Sequence, residues 1–296
     1  MTKLIDVLKE AIIDNQKPII SKFEIFFFGL QIVENKNYNN LKIKKQKFDI
    51  EKNNRLILDL IVKRFISNDI DFTSYYKITS EAVKECSEVC CLIDPFCYIS
   101  HLSAMQKYGF TNRISEFSIL TRPKEVLWKK MKEEFRNDYI NKLSPDGQNK
   151  YIFPQLKRAV FPKEVRKMQI KVVESKFIHP SILIRDSYAR ITDIGHTFLD
   201  MLINPELCGG MSHIIEVWKQ NAKKNIDLII KAVDNHPQDI VKCRAGYIVE
   251  DILKIKDNKI INKWLRLAQR GGSRLLDPNS NYSSKFSERW KISINI

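Results

Sequence analysis

The chain has 296 residues, enough for two domains each with its own core. Hydrophobic residues at 44% and charged residues at 29% place it among globular proteins and exclude wholesale disorder. Its formal charge of +15 raises affinity for polyanions through counterion release and steering without naming the polyanion. A basic surface that merely keeps the protein soluble satisfies the same number.

In chain order, LIDVLKEAII sets Leu4, Ile5, Leu8, Ile12 and Ile13 on one helical face. Asp6 and Glu10 within it, and no small-residue cleavage site, argue against a signal peptide. A second apolar helix is predicted from Ser21 through FEIFFFGLQI. Its longest nearly unbroken apolar run, Ile25 to Val33, is nine residues, far short of the ~20 that span a bilayer. NKNYNNLKIKKQK reads as a loop. A third helix is predicted from Asn53 to Ile66, with Leu56, Leu60, Val62, Lys63 and Ile66 giving an amphipathic register. SYYKITS (Ser74 to Ser80) has strand propensity.

Three helices followed by a strand is the order of a winged helix. The fold class expected is therefore α+β, with a winged-helix-like DNA-binding domain at 1–80 and a larger mixed α/β domain at 81–296. Between Lys36 and Arg55 stand seven basic residues against Asp49 and Glu51. In a helix-turn-helix this stretch meets the DNA. Asn53, Asn54 and Arg55 are placed to reach base edges, and Lys42, Lys44, Lys45, Lys47 and Lys52 to hold phosphates. The competing reading is a solvated loop on a helical hairpin.

Beyond residue 80, EAVKECSEVCCL is predicted helical, and DPFCYISHLSAMQKYGF reads as a helix ending at Gly109. ISEFSILTRP reads as a strand, LWKKMKEEFRNDYINKL as an exposed charged helix, and Ser144 to Lys150 as a connector. MQIKVVESKF and SILIRDSYARITD are β-like. TFLDMLI, SHIIEVWKQNAKKNIDLIIKAV, IVKCRAGYIVEDILKI and KIINKWLRLAQR are helical, and KFSERWKISINI ends in a paired strand.

Four constellations bear on chemistry. In AQRGGSRLLDPN, Gly271 and Gly272 follow a helix instead of preceding one, so they read as a stop and turn, not a phosphate cradle. Cys86, Cys90, Cys91 and Cys97 are spaced C-x3-C-C-x5-C, without the C-x2-C knuckle of a zinc site. With Cys208 and Cys243 they read as reduced thiols of a cytoplasmic protein. His196 and Asp200 (i,i+4) and His213 and Glu216 (i,i+3) permit an acid–base or metal site to be drawn. Thr197 and Asp200 read better as capping and orienting groups, with Phe198, Leu199, Met201 and Leu202 in the core. No metal, cofactor or catalytic residue is expected.

Three segments together resemble one family. YISHLSAMQKYGFT (Tyr98 to Thr111) resembles the Tyr-Val-Ser-His-Leu-Ser-Ala-Leu segment, with its helix ending in Gly-Leu-Thr, of AbiEi-type antitoxins. Arg190 to Gly210 resembles that family's Arg-Thr-Leu-Leu-Asp segment followed by Gly-Gly. RAGYIVEDILKI (Arg244 to Ile255) resembles its Arg-Leu-Gly-Tyr-Leu-Leu-Glu helix. The resemblance implies a non-enzymatic type IV antitoxin in phage defence, with a winged-helix domain that represses its own promoter. Its functional partner would be a nucleotidyltransferase-like toxin, neutralised without a stable complex. The N-terminal part departs from the family in its long Lys/Asn loop and in lacking a short glycine-rich wing. Two other classes fit the sequence: a metal-dependent enzyme acting on nucleic acid through His196, Asp200, His213 and Glu216, and a protein-interaction module that does not bind DNA.

Overall fold

A computed structural model describes residues 2–80, 83, 85–143, 151–269 and 274–296. The fold is α+β. It divides into two compact units, each assembled from separate stretches of chain. One comprises Met1–Cys97, Arg122–Phe177 and Asp186–Ala189; the other comprises Tyr98–Thr121, Ile178–Arg185 and Arg190–Ile296.

The first unit begins with α1 (Leu4–Asp14), β1 (Ile19–Ser21) and α2 (Lys22–Asn35). Ser21 starts α2 with a capping box. Its Oγ accepts from the Glu24 N–H at 3.1 Å, and the Glu24 carboxylate accepts from the Ser21 N–H at 2.9 Å. The Lys/Asn stretch expected as loop contains a small hairpin, β2 (Asn37–Tyr38) and β3 (Leu41–Lys42). Asn39 and Asn40 turn it with φ of 45° and 67°, left-handed values that asparagine tolerates. Next come α3 (Ile50–Val62), β4 (Ile66–Asn68), β5 (Tyr75–Ile78) and α4 (Cys86–Ile93). Strand β5 lies between β1 and β4, antiparallel to both. Phe26, Phe27, Leu8, Leu30, Leu60 and Ile66 fill the core beside this sheet.

α3 differs from expectation at both ends. Asp49 caps it by accepting from the Lys52 N–H at 2.9 Å, so it starts before Asn53. It stops at Val62, and Ile66 belongs to β4. Its inward face is Asn53, Leu56, Ile57 and Leu60, while Val62 is 81% exposed.

The chain next contributes β6 (Tyr98–Ile99), α5 (His101–Lys107) and β7 (Ser118–Pro123), then α6 (Glu125–Ile140), β8 (Glu164–Val165) and β9 (Met168–Ser175). The helix expected across Tyr98 starts only at His101. Tyr98 and Ile99 are instead a strand, because Ile99 pairs on one side with Leu120 and on the other with Ile191. Gly109 does end α5, with φ of 70°. Phe110 N–H donates to Met105 O and Gly109 N–H to Gln106 O, the Schellman pairing.

In the second unit β10 (Ser181–Leu183), β11 (Arg190–Thr192), β6 and β7 are adjacent in that order. Among the described residues five α-helices follow: α7 (Ile194–Ile203), α8 (Met211–Asn221), α9 (Ile226–Asp234), α10 (Asp239–Tyr247) and α11 (Lys259–Trp264). A tail hairpin of β12 (Phe286–Ser287) and β13 (Ile292–Ser293) completes it. Phe198, Leu199, Met201 and Leu202 are all buried, in a core shared with Trp218 and Trp290. The Gly271–Gly272 turn, the Ser144 to Lys150 connector, and Glu81, Ala82 and Lys84 of the expected fourth helix lie outside the described residues.

Candidate nucleic-acid interface

The basic segment ahead of α3 is held by two apolar anchors. Ile43 and Phe48 are 4% and 2% exposed, and the intervening Lys44, Lys45 and Lys47 face solvent, as does Lys42. Phe48 is seated on α2 at Gly29, where a Cβ would come within 2.3 Å of its ring. The Ile43 N–H donates to Lys36 O, and the Thr2 N–H donates to Lys42 O. Lys44, Lys45 and Lys52 line an open cleft of about 620 Å³ together with Lys3. Lys3 has no local signal; only the fold brings the N-terminus alongside this segment.

Of the eight residues expected to contact DNA, seven offer accessible surface. Lys42, Lys44, Lys45, Lys47 and Arg55 are exposed, while Lys52 and Asn54 are half-buried. Asn53 is a correction. It is fully buried, on the same inward stripe as Leu56, Ile57 and Leu60, and neither polar atom of its amide has a hydrogen-bond partner. In this conformation it cannot touch a base edge. Lys47 lies 3.4 Å from Asp49, and Arg55 lies 3.7 Å from Glu51 one turn earlier. The Asp49 carboxyl is held below its usual range, first by the Lys52 N–H and then by Lys47. Both ion pairs are exposed and weak, so each cation can exchange its carboxylate for a phosphate. Leu58 and Val62, 62% and 81% exposed, continue the outward face of α3 past Arg55. Besides Lys3, the residues that the sequence reading missed here are therefore apolar ones.

The residues drawn as an alternative catalytic site are not brought together. Asp193, the N-cap of α7, accepts from the His196 N–H at 2.8 Å, and its carboxylate lies 2.9 Å from His196 Nδ1. Asp200 instead faces His179, whose Nε2 is 3.2 Å from Oδ1. Burial raises the Asp200 carboxyl, but His101 and His179 outweigh it and hold it below the usual range. His213 Nε2 is 3.0 Å from Thr111 Oγ1, and Glu216 pairs with Lys219 at 2.9 Å. Each candidate has its own structural partner.

A buried Ser–His contact that the sequence reading did not single out lies at Ser100 and His101. His101 Nδ1 is 2.8 Å from Ser100 Oγ, and its Nε2 is 3.1 Å from Asn204 Nδ2. Ser100 Oγ also accepts from Thr121 Oγ1 at 2.8 Å. Ser100, His101, Thr121 and Asn204 thus form one largely buried hydrogen-bond network. Among the described residues no group of three or more His, Cys, Asp or Glu side chains is arranged to hold a metal ion. All six cysteines are buried thiols outside any disulfide, and burial pushes Cys97 and Cys208 well up. Among the described residues no helix is long and apolar enough to cross a membrane.

No protein-family model matches the chain, and no curated protein matches it. Among solved structures, the crystal structure of the RV2827C protein from Mycobacterium tuberculosis aligns over 99% of this chain and 91% of its own, with a TM-score of 0.45 and 8% identity.

Proposed function

We infer that this protein is a DNA-binding transcriptional regulator whose first unit carries a winged helix. One observation supports this best. The order α1, β1, α2, β2, β3, α3, β4, β5, with β5 between β1 and β4, is compatible with a winged helix that carries a hairpin inserted before its third helix, and an anchored row of outward lysines leads into the N-terminus of that helix. In this reading Lys42, Lys44, Lys45, Lys47 and Lys52 grip the backbone. Asn54 and Arg55 read base edges, and Leu58 and Val62 meet apolar groups such as thymine methyls.

The further role, an antitoxin that represses its own promoter and counteracts a nucleotidyltransferase-like toxin from the cytoplasm, rests on the resemblance of Tyr98 to Thr111, Arg190 to Gly210 and Arg244 to Ile255 to AbiEi-type antitoxins. The test is binding to the DNA upstream of its own gene against a scrambled duplex, across a salt series. Preference for the upstream DNA at physiological salt upholds the regulator. Equal, steeply salt-dependent binding to both reduces the +15 charge to a polyelectrolyte effect and ends the reading. Restored growth when the chain is co-expressed with a toxin gene from its own neighbourhood tests the antitoxin role separately.

A further inference from the structure

A cleft of about 710 Å³ in the first unit is built from three elements. The helix α6 supplies Glu125, Trp128, Lys129 and Lys132, which recur at helical spacing on one face. Strand β9 supplies Val172 and Glu174, alternate residues on one strand face, and residues 155–161, which are neither helix nor strand, complete another side. Arg122, at the end of β7, completes the wall. The volume falls within the ~300–1,000 Å³ typical of small-ligand sites.

The lining is basic, with Arg122, Lys129, Lys132, Lys157 and Arg158 against Glu125 and Glu174. Arg122 is only 3% exposed; its Nη1 donates to Ala159 O at 2.9 Å, and its Nε lies 3.4 Å from Asp94. Yet neither its Nε nor its Nη2 makes a hydrogen bond, and the same holds for Trp128 Nε1 and Arg158 Nε. Buried polar groups are nearly always satisfied. The three residues line one cleft, although these atoms themselves lie buried beneath its surface. Burial pulls the Arg122 pKa down against the opposing Asp94 charge, and the neighbouring Arg158 charge adds to the lowering. The first turn of α6 opens beside them from an N-cap, Lys124, that makes no side-chain cap. Lys157 adds a further cation to the lining. The two carboxylates present are engaged, Glu125 with Lys129 and Glu174 with Arg158, each at 2.7 Å.

We propose that this cleft binds a small phosphate-bearing molecule, its phosphate among Arg122, Lys129, Lys157 and Arg158 and any apolar part against Trp128 and Val172. The proposal is independent of the DNA-binding reading. Its chemistry fits two sources, inorganic phosphate or a nucleoside phosphate.

Titration calorimetry of the full chain with inorganic phosphate, adenosine monophosphate and adenosine, at fixed ionic strength, tests it. Saturable binding of phosphate or the monophosphate is expected. It should weaken at least tenfold in Lys129→Glu/Lys157→Glu, both exposed positions, and stay unchanged in Lys44→Ala/Lys45→Ala/Lys47→Ala. Tighter binding of the monophosphate than of phosphate assigns a nucleoside phosphate; equal binding assigns free phosphate. Any of four results overturns the proposal: no saturable binding, adenosine as tight as its monophosphate, equal weakening in both charge variants, or reduced affinity for duplex DNA in Lys129→Glu/Lys157→Glu with neither small molecule bound.

Discussion

The backbone of Gly246 in α10 lies directly against the ring of Trp290. A Cβ built on that glycine would sit 2.1 Å from Cη2, and the indole is fully buried. The ring cannot swing aside easily, because its Nε1 donates to Glu250 at 3.1 Å, and the same carboxylate accepts from Arg289 Nε at 2.5 Å. One contact thus ties the tail hairpin to the helix that bears RAGYIVED.

Gly246→Ala therefore sets two effects of opposite sign against each other. Alanine favours a helix over glycine by ~1 kcal/mol. Overpacking a rigid core costs about 1–3 kcal/mol. With no room for a methyl group, the steric cost wins, and net destabilisation of about 1–2 kcal/mol is expected in urea unfolding. A variant as stable as the wild type would show that Trp290 repacks freely.

Asn53 gives a prediction of the opposite sign. A buried amide with no partner costs about 1–3 kcal/mol on mutational scales. Leucine is close to it in size and continues the Leu56, Ile57, Leu60 stripe. Asn53→Leu should raise stability by about 1 kcal/mol and leave DNA affinity unchanged. A loss of sequence preference on this substitution would put the side chain in the groove after all.

Part of the fold was legible in local pattern. α1 follows its 3.6 spacing, α6 its run of interspersed charges, and β9 its strand-favouring residues. The failures have physical causes. Asn53 is polar and yet faces inward, while Val62 is apolar and faces out, so the true phase of α3 is one that composition argues against. Strand β6 is two residues long and is fixed only by its partners in the sheet. His196 and Asp200 share a helix face, but each is claimed by a residue that the face does not reveal, Asp193 and His179. The cleft beside Arg122 gathers positions 122 to 174, a proximity no local pattern encodes.

For the basic segment, replacing Lys44, Lys45 and Lys47 with Ala should weaken binding to every duplex. The salt dependence should flatten by roughly one unit of log–log slope for each phosphate that the variant no longer neutralises. Arg55→Ala should instead lower the preference for the upstream DNA, by about 1–3 kcal/mol if it makes one bidentate base contact. Filter binding across salt separates the two patterns. If Arg55→Ala lowers affinity for scrambled and upstream DNA alike, Arg55 is only another phosphate contact.

Acid sensitivity should centre on His236 in the second unit. Burial, then the charges of His179 and Lys242, pull its pKa down from 6.5 to about 4, against the opposing field of Asp200. The Gln238 N–H donates to its Nδ1 at 3.3 Å, which requires a neutral ring nitrogen there. Between pH 6.5 and about 4 the unfolded chain thus binds a proton that the folded chain refuses. Stability must fall as pH drops through that window, by at most ~1.4 kcal/mol per pH unit for one proton. Asp200, whose pKa is lowered, acts in the same direction but at lower pH, as its own carboxyl protonates. His236→Asn preserves an acceptor for the Gln238 N–H and removes the titration. The variant should be less stable at pH 7 through poorer packing, yet its unfolding free energy should decline less steeply from pH 6.5 to 4 than that of the wild type. Denaturant midpoints across that range read the slope directly, and parallel curves for the two proteins would take the acid response away from His236.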